Sequence, residues 1–264
     1  VPVFVMISGA LFLSKDIPLK KIYSKYIFRI FTAFMFWSFM YALKGYIKDR
    51  DIIKALGHFM KGHYHLWFMF MIAGLYMILP FVRKIAESKV LTKYFLALAL
   101  VFAFIMPEIA DIISVFSETY SSFMLKVIDN FRMRFVMGFT GYFLLGYVMN
   151  NIEISPKLER LIYMLGIIGF SATVVMSEYA SLFRNEPKVF YDNLSVNVLC
   201  EASAVFVFFR EHFNTESNFI RLMSAYTFGA YLVHAFVISL LSLSGLNSLT
   251  FCPLVSVPII AVIV

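Results

Sequence analysis

The first 29 residues constrain the fold most strongly, because an apolar segment runs directly into a cluster of cations. Residues 1–13 contain no charged side chain. Five cations follow before the apolar sequence resumes, namely Lys15, Lys20, Lys21, Lys25 and Arg29. A buried helix of a water-soluble protein has no reason to collect cations at one end, whereas a membrane helix places them at the cytoplasmic headgroups. The pattern therefore predicts a membrane helix and fixes its orientation.

The composition of the whole chain supports a membrane protein. Apolar residues make up 61% of the chain and charged residues 15%, against about 45–50% and about 25% in soluble domains. The net charge of +7 is spread between apolar segments, which favours anchoring at a membrane surface over binding of nucleic acid. Cys200 and Cys252 form no CxxC motif and have no metal-ligand spacing, so neither a metal site nor a disulfide framework is predicted.

Nine apolar segments are candidate membrane spans. They are 1–13, 26–46, 65–82, 91–106, 134–149, 158–176, 196–209, 226–246 and 251–264. The segments are continuously apolar and do not alternate with polar residues, which predicts helices and not a β-barrel. We therefore expect an all-α polytopic transmembrane helix bundle, with residues 1–264 forming a single integral domain. Both ends lie inside apolar segments, so we expect a piece of a longer membrane protein.

The distribution of charge predicts the topology. If the connection after the first span lies in the cytoplasm, the connections on that side carry an excess of cations and those outside are balanced. The exception is the outer segment 44–61, which holds five cations against two acids and which we expect to fold on the surface. In the outer segment 107–133, Ile109, Ile113 and Phe116 recur at helical spacing, which predicts an amphipathic helix on the bilayer.

Five segments carry short motifs rich in aromatic residues and glycine. They are 3–11 (Val-Phe-Val-Met-Ile-Ser-Gly-Ala-Leu), 25–30 followed by Phe36-Trp37-Ser38, 65–68 (His-Leu-Trp-Phe) with Leu75, Pro80 and Phe81, 139–147 and 229–234. In this order the motifs resemble helices of the acyltransferase-3 family of membrane O-acyltransferases, and the resemblance covers almost the whole chain. It implies ten transmembrane helices, of which about nine are present. The first helix, with a basic residue and the histidine that acts as base, is expected upstream of Val1.

The resemblance also implies an activity and a location. The activity is transfer of an acyl group, expected to be acetyl, from cytosolic acetyl-coenzyme A to a hydroxyl of an envelope or exported carbohydrate. The implied location is the cell membrane, as a multi-pass protein of the bacterial inner membrane. The implied partners are acyl-coenzyme A, a carbohydrate acceptor and the lipid bilayer. No permanently bound cofactor, metal or nucleic acid is expected, and the sequence does not predict an oligomeric state.

Lys25 and Arg29 are the candidate donor-binding residues. Both lie at a predicted cytoplasmic helix start, where arginine can hold a phosphate of coenzyme A through paired hydrogen bonds. The resemblance assigns donor binding to an Arg-x-x-Arg motif, but Tyr26 stands where the first arginine is expected. The alternative is that both cations only anchor the helix at the membrane surface.

His63, His65 and Trp67 are candidates for an acceptor site at the outer end of the third span. Imidazole relays protons near neutral pH, and an indole face suits a sugar ring. An interfacial aromatic belt without a function is the alternative. His65 is also a candidate catalytic residue.

His234 and Glu201 are ionisable residues within apolar segments, where function is the default hypothesis. His234 is the second candidate catalytic residue, and Glu201 is expected to line the acceptor site. The alternatives are a hydrogen bond to a neighbouring helix for His234 and a position at the membrane interface for Glu201.

Two further functions stay open at this point. A transporter or flippase for a lipid-linked saccharide would also need intramembrane polar groups and an outer vestibule. A catalytically silent relative would serve as a membrane scaffold. A basic residue and a histidine upstream of Val1 would favour the enzyme over both.

Overall fold

The computed structural model describes residues 1–183, 190–213, 217–245 and 253–263. Within these ranges the fold is all-α, as predicted, and contains no strand. Cys252 lies outside the described residues. The helices are, in chain order, α1 (Pro2–Leu13), α2 (Leu19–Lys21), α3 (Phe28–Asp49), α4 (Ile52–Lys61), α5 (Trp67–Glu87), α6 (Lys89–Ala99), α7 (Met106–Phe116), α8 (Glu118–Asn130), α9 (Met133–Asn151), α10 (Pro156–Phe183), α11 (Val196–His212), α12 (Asn218–Leu243) and α13 (Pro253–Ile263).

Each of the nine predicted spans coincides with one of these helices or with a run of them. Among the described residues, five stretches are long and apolar enough to cross a membrane. They are Leu19–Ile47, Ile52–Glu87, Lys89–Ser114, Pro156–Leu182 and Ile220–Ser242. The remaining four predicted spans lie in α1, α9, α11 and α13. The protein is therefore a multi-pass membrane protein.

The helix predicted around 109–116 is present, but it is continuous with the fourth span instead of separate from it. Helix α6, a π-helical segment Leu100–Ile105 and helix α7 follow one another without a break, so 109–116 continues a membrane helix. The π-helical segment directly precedes Pro107, which has no backbone N–H, and such segments accommodate a missing bond within a long helix. Helix α8 then turns back, and the Ser121 hydroxyl donates to the carbonyl of Ala110 at 2.8 Å.

The described residues form two compact units. The first unit comprises Val1–Tyr26 and Met71–Asn214, and the second comprises Ile27–Phe70 and Thr215–Val264. In the first unit, α1 packs closely on α9 and α10 packs on α11. A Cβ at Gly9 would overlap the backbone carbonyl of Phe143, so only glycine allows α1 to approach α9 this closely. The single domain predicted for 1–264 stays a prediction.

In the second unit, α3 and α12 run in the same direction. Arg29 near the start of α3 contacts Phe228, Tyr41 contacts Leu232, and Lys44 contacts Ser239. This order agrees with the predicted topology, in which both spans run from inside to outside. The segment 44–61 ends in helix α4, in which Ile53 is 79% exposed. A hydrogen bond links α4 to α3, since the Ser38 hydroxyl donates to the Phe59 carbonyl at 2.5 Å. The sequence predicts that this segment folds on the surface, and the helix within it is a finding of the structure.

Candidate active site

Three histidines from two distant parts of the sequence meet in the second unit. His63 and His65 lie between α4 and α5, and His234 lies in α12. The Nδ1 atoms of His63 and His65 are 2.9 Å apart, and the ring centroids of His65 and His234 are 4.9 Å apart. We call His63, His65 and His234 the histidine cluster. It brings together three of the residues that the sequence singled out separately.

The local sequence explains how the two neighbouring histidines enter the cluster. Helix α4 ends at Gly62, which has φ of 73°, a conformation that residues with a Cβ adopt only with strain. A Cβ at Gly62 would also lie 2.8 Å from the ring of Phe34. The chain then reverses and passes through a short 3-10 turn, Tyr64–Leu66, into α5. His65 lies within this turn and is 7% exposed.

Two tyrosines hold the histidine cluster in place. The ring of Tyr41 stacks on His63 with centroids 4.2 Å apart, and its hydroxyl donates to the carbonyl of Leu232 at 3.3 Å. The Tyr231 hydroxyl donates to the backbone carbonyl of His65. Helices α3, α12 and the entry to α5 are therefore linked by hydrogen bonds around the three imidazoles.

The hydrogen bonds show which ring nitrogens have a partner within the protein and which do not. His234 Nδ1 lies 2.5 Å from the carbonyl oxygen of Tyr231, and a carbonyl can only accept, so Nδ1 carries the proton. In the neutral ring, Nε2 of His234 is then an acceptor and a potential base. Nε2 of His65 is buried and has no hydrogen-bond partner among the described residues. Buried polar atoms usually have a hydrogen-bond partner, so this nitrogen is unusual among the described residues.

The comparisons with known proteins decide the family. A family model described as an acyltransferase domain matches residues 1–264, which is the whole chain. The chain belongs to the acyltransferase-3 family. No curated protein and no solved structure matches it. The protein is thus a membrane acyltransferase, which confirms the expected enzyme class.

Lys44 is a residue of this acyltransferase that sequence reasoning missed. The charge count placed it in an outer connection, but α3 continues through it to Asp49. Its ammonium group donates to the hydroxyl of Ser239 and lies 5.6 Å from the ring centroid of Phe236. It also interacts electrostatically with His63. Its position three residues after Tyr41 puts both side chains on one helix face, which is the signal that was available in the sequence.

Trp67 and Glu201 are placed differently. Trp67 is the first residue of α5, and its side chain is 40% exposed. Glu201 lies in α11 of the first unit, where it accepts a hydrogen bond from Thr173 at 2.9 Å. Asn197 donates to the same Thr173 hydroxyl at 2.5 Å. The structure thus gives Glu201 a partner on α10, and its role at the acceptor site stays a prediction.

The two donor-site candidates are both exposed. Lys25 lies in the π-helical segment Ile22–Ile27, in the first unit. Arg29 lies in the first turn of α3, with its guanidinium carbon 5.3 Å from the ring centroid of Phe228. A ring face stabilises the cation without using its N–H donors, which stay available for phosphate oxygens. In the part of the chain that the structure describes, no group of three or more His, Cys, Asp or Glu side chains is arranged to hold a metal ion.

Proposed function

We propose that this acyltransferase moves an acyl group, acetyl in the simplest case, from a coenzyme A thioester to a hydroxyl of an envelope or exported carbohydrate. The observation that carries the proposal is the pairing of two nitrogens in the histidine cluster. Nε2 of His65 is buried without a partner, and Nε2 of the neighbouring His234 is an acceptor in the neutral ring. A sugar hydroxyl both donates and accepts, so it suits such a pair.

The reaction balances with groups of these types. The acceptor oxygen attacks the thioester carbonyl carbon, the C–O bond of the new ester forms, and the C–S bond breaks. The hydroxyl proton passes to a base, and the leaving thiolate of coenzyme A takes up a proton. Of the described residues, His234 is the one whose free nitrogen is suited to receive the hydroxyl proton.

Trp67 beside the cluster fits a carbohydrate. It is the first residue of α5, two positions after His65, and is 40% exposed. Flat rings with a polar edge stack on pyranose faces and hydrogen-bond to their hydroxyls. We assign the acceptor to this end of the second unit. The donor phosphates then belong to Arg29 near the start of α3, and the donor role of Lys25 in the first unit stays a prediction.

The decisive experiment is mass analysis of envelope glycans from cells with and without the gene. We expect one acyl group on each modified sugar in cells with the gene, and we expect this group to be absent from cells without the gene. Purified full-length protein in lipid nanodiscs should transfer isotope-labelled acetyl from acetyl-coenzyme A to the same sugar. If acylation of these glycans is identical with and without the gene, the carbohydrate acceptor of this proposal is wrong.

A further inference from the structure

Arg83 is a partly buried cation that uses only part of its hydrogen-bonding capacity. It lies near the end of α5 and its side chain is 16% exposed. One terminal nitrogen, Nη1, donates to Oδ1 of Asp16 at 3.0 Å. The other two nitrogens, Nε and Nη2, are buried and have no hydrogen-bond partner among the described residues. Two of the three guanidinium nitrogens are therefore closed off from water and make no hydrogen bond with the described residues.

The ion pair with Asp16 does not explain this burial. The Asp16 side chain is 100% exposed, so its attraction to Arg83 is strongly screened by solvent. Leaving donors of a charged group buried and unpaired is unfavourable. The adjacent Lys84 shows the ordinary arrangement, since it is 78% exposed and pairs with Glu87 at 2.8 Å. Arg83 thus differs from its neighbour, because two of its nitrogens are buried and make no hydrogen bond with the described residues.

The unused nitrogens define the chemistry of that ligand. The N–H groups on Nε and Nη2 point in parallel along one edge of the planar guanidinium, while Nη1 lies on the other side. Two oxygens of a phosphate match this edge with two parallel charge-assisted hydrogen bonds. The ligand is therefore an anion with paired oxygens.

The surroundings of Arg83 favour an anion as well. Its bond to Asp16 places the connection between α1 and α2 beside the end of α5, within the first unit. That connection and α2 carry Lys15, Lys20 and Lys21, all exposed. Tyr26 carries no positive charge, and its ring packs edge-on to Phe12 with centroids 5.0 Å apart. Lys15 is the direct neighbour in sequence of Asp16, which contacts Arg83, and exposed lysines in the same connection favour the approach of a multiply charged anion.

We propose that the Nε/Nη2 edge of Arg83 binds a phosphate of the coenzyme A part of the acyl donor. The proposal rests on the proposed function for the identity of the donor, and it adds a binding residue that the sequence motif does not contain. A phospholipid headgroup has the same chemistry, and the test separates the two sources.

The test measures donor binding alone, with full-length protein in nanodiscs of neutral lipid and no acceptor present. The variants are Arg83→Gln, Arg83→Lys and, as the matched control, Lys84→Gln. The probes are coenzyme A and pantetheine, which lacks the phosphates. We expect Arg83→Gln to weaken coenzyme A binding roughly 10- to 100-fold, as for loss of charge-assisted hydrogen bonds, and to leave pantetheine binding unchanged. Arg83→Lys should restore only part of the affinity, because lysine lacks the parallel pair.

Several results would overturn the inference. One is wild-type affinity for coenzyme A in Arg83→Gln, and another is an equal loss for pantetheine, which would indicate a structural role. A third is that Lys84→Gln matches Arg83→Gln, which would mean diffuse surface charge. A fourth is that Arg83 is needed only for retention of phosphatidylglycerol in mixed-lipid nanodiscs, which would assign the site to lipid. Melting temperatures of all three variants exclude unfolding as the cause.

This inference and the proposed function can fail separately. If Arg83→Gln loses coenzyme A but the wild type acylates no carbohydrate, the donor site is upheld and the proposed acceptor class is wrong. If acylation occurs and Arg83→Gln binds coenzyme A normally, the proposed function is upheld and Arg83 has no part in donor binding.

Discussion

His234 donates from Nδ1 to the carbonyl oxygen of Tyr231, three residues earlier in the same helix, at 2.5 Å. Because both groups belong to α12, this bond sets the tautomer of His234 without help from a ligand or another helix. In the neutral ring the lone pair is therefore on Nε2. A base that is already in its reactive tautomer avoids a reorganisation step during proton transfer.

Replacing His234 tests its role as a base. In the full-length protein, His234→Ala should lower kcat by roughly 10²- to 10⁴-fold, the usual contribution of general base catalysis. The binding of the donor should not change. The measurement is steady-state transfer of labelled acetyl to the acceptor. His58→Ala is the control, since His58 is exposed on α4, and an equal loss in that variant would remove the special role of His234.

Replacing His65 tests the acceptor site. His65→Ala should raise KM for the carbohydrate and slow transfer, because the hydroxyl loses its partner at the buried Nε2. Binding of coenzyme A, measured by calorimetry in the absence of acceptor, should stay within about twofold of the wild type. Loss of coenzyme A binding in this variant would place the donor at the histidine cluster and refute the assignment.

Replacing Arg29 tests the donor end of α3. Arg29→Ala should weaken donor binding by roughly 1.5–3 kcal/mol, the usual value of a charge-assisted hydrogen bond. Arg29→Lys should recover part of this loss. The binding is measured at low salt, where screening is weak. Unchanged affinity in a folded Arg29→Ala protein would make Arg29 a membrane anchor only.

Cysteine labelling tests the predicted topology. In a background in which Cys200 and Cys252 are serine, single cysteines in 86–90 or 153–156 should react with a membrane-impermeant reagent only after the cytoplasmic side is opened. A cysteine in 117–121 should react from outside. The opposite pattern would reverse the orientation and exchange the sides of the donor and acceptor sites.

Gly9 tests the packing of α1 on α9. Gly9→Val should destabilise the protein and lower its melting temperature by several degrees, because the added atoms overlap the Phe143 carbonyl. The control is Gly74→Val in α5, where a Cβ meets no atom within 4 Å. Similar melting of the two variants would show that close approach of α1 and α9 is not required.

The sequence predicted the helices well because the length and the continuity of apolar segments suffice for a membrane helix. It misplaced the end of the fourth span, where a π-helical segment before Pro107 keeps the helix intact. Apolar pattern alone does not reveal how a proline is accommodated. The counting of loop charges had the same weakness, because it assigned Lys44 and Arg83 to connections although helices α3 and α5 contain them.

The site was predicted residue by residue but not as an arrangement. His63, His65 and His234 were each recognised as ionisable groups in or beside apolar segments. Their meeting depends on the packing of α12 against α3, which leaves no periodic signal in the sequence. The unpaired nitrogens of His65 and Arg83 are properties of packing too. Tertiary contacts therefore carried the functional information that motifs could not.

The contact between Lys44 and Ser239 spans 195 residues of chain. A ribosome adding roughly 5–20 residues per second needs about 10–40 s to make the segment between them. During that interval α3 is in the membrane while α12 does not yet exist, and the ammonium of Lys44 has no hydroxyl to bind. The histidine cluster is therefore completed late in biosynthesis, and nascent chains that stop before α12 would present Lys44 unshielded to the machinery that inserts and surveys membrane proteins.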